Sequence, residues 1–365
     1  MKKVALFPFG VNLLPIVKYF DEMQDEYQLT EVIALPGMGL AGRDVADVCN
    51  QPPIEIKVID KLCFDNSQWK YLILVMEYLP SDYDTKRVIQ TALSYGKEII
   101  VMEHSSYSMQ EWTANMCASE DAVHLLSLES FLPDDFIYRY YSRIKTPVLL
   151  VGGIVEQADV FETVVAVTKS LKEMGLSVAA ITNEAAGGIF GFFDIKDLYF
   201  GMRDISENIS QINQKLQAIE LKYTPDIIVI QAPDAVIRYN NIVPNGFGIY
   251  TYALCQAVQP DYFVCCMPYD LINREFVNLL NEDFKQCLGV GIDMIHASNL
   301  LIDSLDLINS RSMSTFYMNY QNMCEAIIGK TYDMNIPVLN VSMQKENMGD
   351  LLKKIISDEG DYDDK

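Results

Sequence analysis

The sequence predicts two α/β domains, each a mostly parallel sheet with flanking helices. Three observations predict this class. The chain has 365 residues, which exceeds the usual size of one hydrophobic core. Its apolar runs are short and nearly continuous, as is typical of strands that are buried on both faces of a sheet. These runs alternate with segments of helical periodicity, which indicates parallel strands joined by helices.

The first 145 residues form the first predicted domain, with a Rossmann-like arrangement. Its predicted strands are five apolar runs bounded by turn residues, at 4–9, 29–35, 54–59, 71–76 and 98–102. The clearest helix runs from Thr85 to Tyr95, and Gly96 ends it. A linker with a short bridging helix over 138–143 is expected to lead into the second domain.

Residues 146–356 form the second predicted domain, and residues 357–365 are a short acidic tail that is expected to be disordered. The predicted strands of this half lie at 148–151, 177–182, 226–231, 261–267, 289–295 and 336–341. A helix over 160–174 carries one apolar stripe. A longer helix over 203–222 has apolar residues at alternating steps of four and three. This seam packs on the sheet, or it forms a homodimer contact or a docking surface for a partner.

The charge balance restricts the partners of the protein. With 28 basic and 50 acidic residues the net charge is −22, which repels phosphate backbones and anionic lipid. We therefore expect no nucleic-acid and no membrane partner. The acidity gives solubility or attracts a basic partner such as a Lys/Arg-bearing peptide.

Composition also indicates a cytoplasmic globular protein without a metal site. The apolar run at the N-terminus is too short for a secretory signal, and no run is long enough to span a membrane. The eight cysteines include no Cys-x-x-Cys pair, and none of the three histidines has a second ligand at metal spacing. His296 lies in an apolar run and is interpreted as a core or edge residue.

A glycine-led loop between a predicted strand and a predicted helix is the most informative motif. Gly152 and Gly153 end the strand, as in a phosphate-binding P-loop. Where that motif needs Gly, Lys and Ser/Thr, the chain has Ala158, Asp159 and Val160. A unit charge pair about 4 Å apart is worth about 4 kcal/mol at an effective dielectric of about 20. Replacing Lys by Asp turns that attraction into repulsion, so no nucleotide cofactor is expected.

The order of elements from 146 to 255 resembles dethiobiotin-synthetase-like and MinD-like P-loop proteins. That resemblance implies a substrate or switch loop at 182–194, which contains Glu184 and Gly188. It also implies a second acidic strand that ends near Asp234. Together with Glu156 and Asp159 in the glycine-led loop, these residues are ligand-binding candidates on a degenerate P-loop.

Two further candidates lie at the carboxyl ends of predicted strands in the first domain, where open α/β sheets bind ligands. One is a glycine-rich segment that is either a flexible turn or a ligand loop, and its candidate residues are Gly37, Gly39, Gly42, Arg43 and Asp44. Arg43 is its anion-binding candidate. The other is His104, which is either an acid–base group oriented by Glu103 or Asp44, or an ordinary polar loop residue.

The glycine patterns of both halves together resemble a clostridial family of accessory proteins from peptide maturation systems. The chain is also similar to DUF1611-type proteins, which pair a Rossmann-like half with a true P-loop half, and departs from them at Asp159. The first resemblance implies a role in ribosomal peptide maturation and supplies no catalytic residue. We predict an accessory protein that binds a precursor peptide or a maturation enzyme. The alternative is a nucleotide- or metal-dependent ligase or transferase acting at the interdomain cleft.

Overall fold

A computed structural model of the chain describes residues 1–65, 67–103, 122–127, 141–194, 204–243, 247–331, 334–342 and 345–358. It confirms the predicted α/β class, with two mostly parallel sheets flanked by helices. The chain divides into two compact units. Unit 1 combines residues 1–130 with 184–197, and unit 2 combines 131–183 with 198–365. The predicted division after residue 145 differs from this one in the placement of residues 131–145 and 184–197.

Unit 1 contains a six-stranded sheet in the order β3-β2-β1-β4-β5-β6, and all its pairs are parallel. The strands are β1 Lys2–Phe9, β2 Tyr27–Ala34, β3 Val58–Ile59, β4 Tyr71–Val75, β5 Glu98–Glu103 and β6 Val123–Ser127. Its helices are α1 Leu14–Met23 and α2 Thr85–Ser94. The chain winds outward from β1 in both directions, so the topological switch point, where such sheets bind dinucleotides, lies between β1 and β4.

The second sheet has the order β15-β12-β11-β7-β10-β8-β9, and the strands from β15 to β8 pair in parallel. Its strands are β7 Val148–Gly153, β8 Val178–Thr182, β9 Phe193–Asp194, β10 Ile227–Gln231, β11 Tyr262–Pro268, β12 Met294–Ser298 and β15 Val338–Leu339. An antiparallel ribbon joins β13 Leu300–Ile302 to β14 Thr315–Tyr317. The central strands β7, β10 and β11 are buried throughout, which explains their continuous apolar sequences.

Helices cover the strands of this second half. They are α3 Val160–Glu173, α4 Ile205–Tyr223, α5 Ile249–Ala257, α6 Arg274–Cys287, α7 Ser304–Asn309, α8 Tyr320–Thr331 and α9 Lys345–Asp358. None of the described helices is both long enough and apolar enough to cross a membrane. The end of the predicted acidic tail, residues 359–365, lies outside the described part of the chain.

Three predicted elements differ from the structure. The strand predicted at 54–59 is reduced to β3, because the backbone amides of Ile54 and Glu55 bond to the side chain of Asp44. The strand predicted at 289–295 begins only at Met294, because Gly289, with φ +77°, ends α6. Residues 141–145 of the predicted bridge are not helical, and 128–140 lie outside the described residues.

The heptad seam of α4 packs inside the chain. Ile212, Leu216 and Ile219 are buried, and α4 lies against α5. The Asn213 side chain, which is also buried, donates to the carbonyl oxygen of Ala257 over 2.8 Å. The centre of the seam is therefore part of the core of unit 2, and a homodimer through α4 stays a prediction.

Candidate functional site

The two glycines at the end of β7 are packed tightly by the chain itself. A Cβ atom added to Gly152 would lie 2.4 Å from Cγ1 of Val236. A Cβ atom added to Gly153 would lie 2.4 Å from the carbonyl oxygen of Val155. Both separations are far shorter than a van der Waals contact between heavy atoms. The glycines are therefore required by the packing of the loop on its own chain.

Part of the backbone of this loop is also committed to internal hydrogen bonds. The Ile154 N–H donates to the carbonyl oxygen of Cys266, and the Ala158 N–H donates to that of Val155, both over 3.1 Å. In a phosphate-binding loop such amides point at the ligand. Here at least two of them bond to the protein instead.

Asp159 precedes α3 in the left-handed conformation, with φ +57°, and its side chain is nearly buried. Its Oδ2 lies 3.4 Å from Nε2 of His296, which is only 1% exposed. The N–H of Val341 donates to Nδ1 of this imidazole over 3.2 Å. In a neutral imidazole the proton then lies on Nε2, on the side of Asp159. Asp159 is thus held in a buried carboxylate–histidine contact.

A second carboxylate lies in the first turn of α3. Glu162 is 3% exposed and accepts a hydrogen bond from the Ser342 hydroxyl. Close by, the Tyr320 hydroxyl donates to Oδ1 of Asn340 over 3.2 Å. Burial is the main cause that raises the pKa of Tyr320, and the charges of Cys324, Glu162 and Asp159 raise it further.

Together Asp159 and Glu162 place two carboxylates of the chain at the amino-terminal end of α3. This end of a helix favours negative charge, because its first amides have no intrahelical acceptor. In a P-loop protein the phosphates of the nucleotide supply that charge. Here two carboxylates of the protein lie at that end, in contact with His296 and Ser342.

Asp234, the candidate beyond β10, serves as a cap for α5. Its carboxylate accepts hydrogen bonds from the backbone amides of Tyr250 (3.2 Å) and Thr251 (2.8 Å). The Thr251 hydroxyl donates a third one over 2.6 Å. Burial raises the pKa of Asp234, and these hydrogen bonds oppose that effect. Both carboxylate oxygens therefore have structural partners.

Replacing Asp234 by alanine is expected to lower the free energy of unfolding by about 2 kcal/mol, because buried donors at the start of α5 lose their acceptor. Asp234→Asn keeps an acceptor oxygen for Thr251 and is expected to cost less. Urea denaturation of both variants measures this. Equal stability of the alanine variant and the native protein would refute the capping role.

Glu156 lies in the glycine-led loop near Asp234. Desolvation, and then the negative charge of Asp234, raises the pKa of Glu156, while a hydrogen bond from the backbone of Ala235 opposes the shift. A raised pKa means that the fold disfavours the charged form of this carboxyl group.

Glu156 is exposed, so water screens its charge, and Glu156→Gln is expected to raise the melting temperature at pH 7 only slightly, by about 2 °C or less. The stability that a neutral Glu156 confers is present at low pH and is lost as the pH rises through its raised pKa. The advantage of the variant should accordingly shrink on acidification. Melting curves at several pH values test this, and an advantage that grows toward low pH would contradict it.

A pocket of about 250 Å³ lies beside the glycine-led loop in unit 2. Its lining combines apolar side chains with three polar ones: Ile154, Ile237, Phe276, Leu280, Arg238, Tyr239 and Asp283. Residue 154 directly follows β7, residues 237–239 lie in the segment after β10, and the other three lie on α6. Since β7 and β10 are parallel neighbours, the pocket lies at the carboxyl edge of the sheet, where open α/β folds bind ligands.

Residues 184–194 cover part of the corresponding edge of unit 1, and a pocket of about 440 Å³ lies beside the segment that follows β4. The 3-10 segment Ala185–Phe190 is largely buried and packs against α1, β5 and β6. Just before it, Glu184 accepts a hydrogen bond from the Tyr78 hydroxyl over 2.6 Å. Tyr78 follows β4 and also interacts with Asn12, which follows β1. The candidates Glu184 and Gly188 thus belong to unit 1, near its switch point, rather than to the unit of the glycine-led loop.

The glycine-rich segment after β2 has some of the features expected of a ligand-binding loop. Gly37, Gly39 and Gly42 have φ values from +70° to +87°, so the turn requires glycine. An added Cβ at each would meet open space, and Arg43 is exposed. The Asp44 carboxylate, in contrast, accepts hydrogen bonds from backbone amides at 46, 54 and 55.

His104 lies outside the described residues, and Glu103 is buried at the end of β5. Because Asp44 is engaged by backbone amides, its predicted role in orienting His104 receives no support.

Within the described part of the chain, no group of three or more His, Cys, Asp or Glu side chains is arranged to hold a metal ion.

A solved structure shares the architecture of the chain. The crystal structure of a DUF1611 family protein from Anabaena variabilis matches with a TM-score of 0.60 and 12% identity, over 98% of this chain and 100% of that chain. At this identity the similarity shows a common fold. No protein-family profile matches the sequence. No curated protein matches it at a significant level.

Some residues of the site follow from the sequence, and the residues that contact them do not. Of the candidates, Gly152, Gly153, Glu156, Asp159 and Asp234 all belong to unit 2, around the carboxyl ends of β7 and β10. Four further residues contribute there and were not predicted, namely Glu162, Arg238, Asp283 and His296. They come from α3, α6, β12 and the segment after β10, and no local motif links them.

Proposed function

We propose that the protein is a non-catalytic, cytoplasmic accessory protein that binds a precursor peptide or a partner maturation enzyme. One observation carries this proposal: residues of the chain itself occupy part of each sheet edge at which a nucleotide would bind. In unit 1 these are Ala185–Phe190, and in unit 2 they are the carboxylates of Asp159 and Glu162. A fold that fills its own nucleotide positions is suited to binding through its surface.

We interpret the loop after β7 as a degenerate phosphate-binding loop. The strand, the two glycines and the following helix support this interpretation, as does the place of β7 between β10 and β11. The aspartate at 159 is its decisive change. It places negative charge where phosphate requires positive charge, and it bonds within the protein.

The charge of the protein favours a basic partner. A net charge of −22 attracts cationic peptides over several ångströms and speeds their association at low salt. The resemblance to accessory proteins of peptide maturation systems supplies the class of partner, a precursor peptide or the enzyme that modifies it.

A pair of synthetic peptides tests the proposal. The first is rich in lysine and leucine, and the second has glutamate in place of every lysine. The full chain is expected to bind the first peptide, with an affinity that falls as NaCl rises from about 50 to about 500 mM, and not the second. Fluorescence anisotropy measures both. Equal affinity for the two peptides, or no binding at low salt, would refute the proposal.

A further inference from the structure

We propose that the pocket lined by α6, called here the α6 pocket, binds a ligand with an apolar body flanked by a carboxylate and a cationic group. Such chemistry is offered by a free apolar amino acid or by the carboxyl end of a peptide that carries a basic residue. This inference concerns a defined small site and is independent of the partner-binding proposal.

The place of the pocket in the fold supports a ligand. It lies at the carboxyl ends of β7 and β10, two central strands of the sheet, and Ile154 of the glycine-led loop forms part of its wall. Loops at this edge project away from the sheet, so side chains on them can meet a ligand without disturbing the core. Unit 2 thus has an open pocket beside the glycine-led loop, whose glycines and amides are engaged by the protein itself.

The walls define the apolar part of the ligand. Ile237, Phe276 and Leu280 join Ile154 in lining the space. Leu280 and Phe276 lie one turn apart on α6, so they present one apolar face to the pocket. Water in contact with such a surface is displaced favourably by an aliphatic or aromatic side chain.

Two opposite charges define the polar groups of the ligand. Arg238 and Asp283 both line the pocket, and the structure contains no ion pair from either side chain to a described residue. A guanidinium matches a carboxylate through two parallel hydrogen bonds, and a carboxylate accepts from an ammonium or guanidinium group. Both side chains are exposed, and a ligand that carries both charges would pair with both of them. A nucleotide phosphate that approached Arg238 would meet the negative charge of Asp283.

The size of the pocket limits the ligand. At about 250 Å³ it is smaller than the sites of about 300–1,000 Å³ that hold drug-sized molecules. It therefore suits one amino-acid residue. Tyr239 adds a polar group at this site, and burial followed by the charge of Asp270 raises its pKa, so its hydroxyl keeps its proton at neutral pH.

Calorimetric titration of the full chain with four probes tests the inference. L-leucine represents the free amino acid, and acetyl-Arg-Leu represents the end of a peptide. N-acetyl-leucine and leucinamide each lack one of the two charges. We expect one of the first two probes to bind about tenfold or more tightly than the single-charge probes. Whichever of the first two binds more tightly identifies the source of the ligand.

Two variants test whether the probes bind in the α6 pocket. Arg238→Gln and Asp283→Asn are each expected to weaken the tighter probe about tenfold or more. Arg274→Gln and Glu275→Gln alter exposed charges on the first turn of the same helix and are expected to leave the affinity unchanged. The inference is overturned if no probe binds at millimolar concentration, if single-charge probes bind equally well, or if the pocket variants bind like the native protein.

Discussion

Replacing Gly153 by alanine is expected to lower the free energy of unfolding by about 3 kcal/mol, at the upper end of the usual cost of overpacking. The new Cβ atom would lie 2.4 Å from the carbonyl oxygen of Val155 and 2.8 Å from Cγ2 of Val160. Since the nearest atom belongs to the backbone, a side-chain rotation cannot relieve the contact. Urea denaturation followed by circular dichroism measures the change.

Gly10→Ala is the matched control for this variant. Gly10 has an extended φ of −151°, and an added Cβ would meet no atom within 4 Å. Its replacement is expected to change the stability by less than about 0.5 kcal/mol. If Gly153→Ala were as stable as Gly10→Ala, the loop would have to be looser than the structure shows, and it would have room for a ligand.

Phe190→Ala is expected to cost about 3–5 kcal/mol, the range for removing a buried phenylalanine side chain. Phe190 is 6% exposed and packs against Phe192 in the segment that covers the edge of unit 1. Its truncation would leave a cavity in this unit. Chemical denaturation measures the loss, and hydrogen exchange of residues 185–190 locates it.

Phe316→Ala is the control, because Phe316 is 47% exposed on β14. Removal of an exposed phenylalanine is expected to change the stability by about 0.5 kcal/mol or less. Should the two alanine variants prove equally stable, residues 185–190 would be a surface loop, and the switch point of unit 1 would be open.

Local sequence patterns predicted the elements that depend on local interactions. The strand β7 and the helix α3 were placed to within two residues, since buried strands and amphipathic helices leave a period in the sequence. The order of the strands in the two sheets is a longer-range property. Strand order depends on which strands pair in the folded protein. The alternation of strands and helices in the sequence indicated only that the sheets are parallel.

The contacts that define the site could not be predicted in the same way. Asp159 and His296 lie 137 positions apart, and a histidine in an apolar run is ordinarily a core residue. Asp44 and Asp234 were predicted to bind a ligand, yet both accept hydrogen bonds from backbone amides. Buried amides in irregular segments need hydrogen-bond acceptors. An aspartate that accepts from such amides cannot be told from the sequence apart from an aspartate that binds a ligand.

The central proposal is that the chain's own residues take the place of a nucleotide in both units, and thermal unfolding with added nucleotide tests it most directly. A nucleotide at one hundred times its dissociation constant would stabilise the protein by about 2.7 kcal/mol and raise the melting temperature by several degrees. We expect millimolar ATP, GTP and NAD, each with Mg²⁺, to leave the melting temperature unchanged. A rise of several degrees with any of them would contradict the claim.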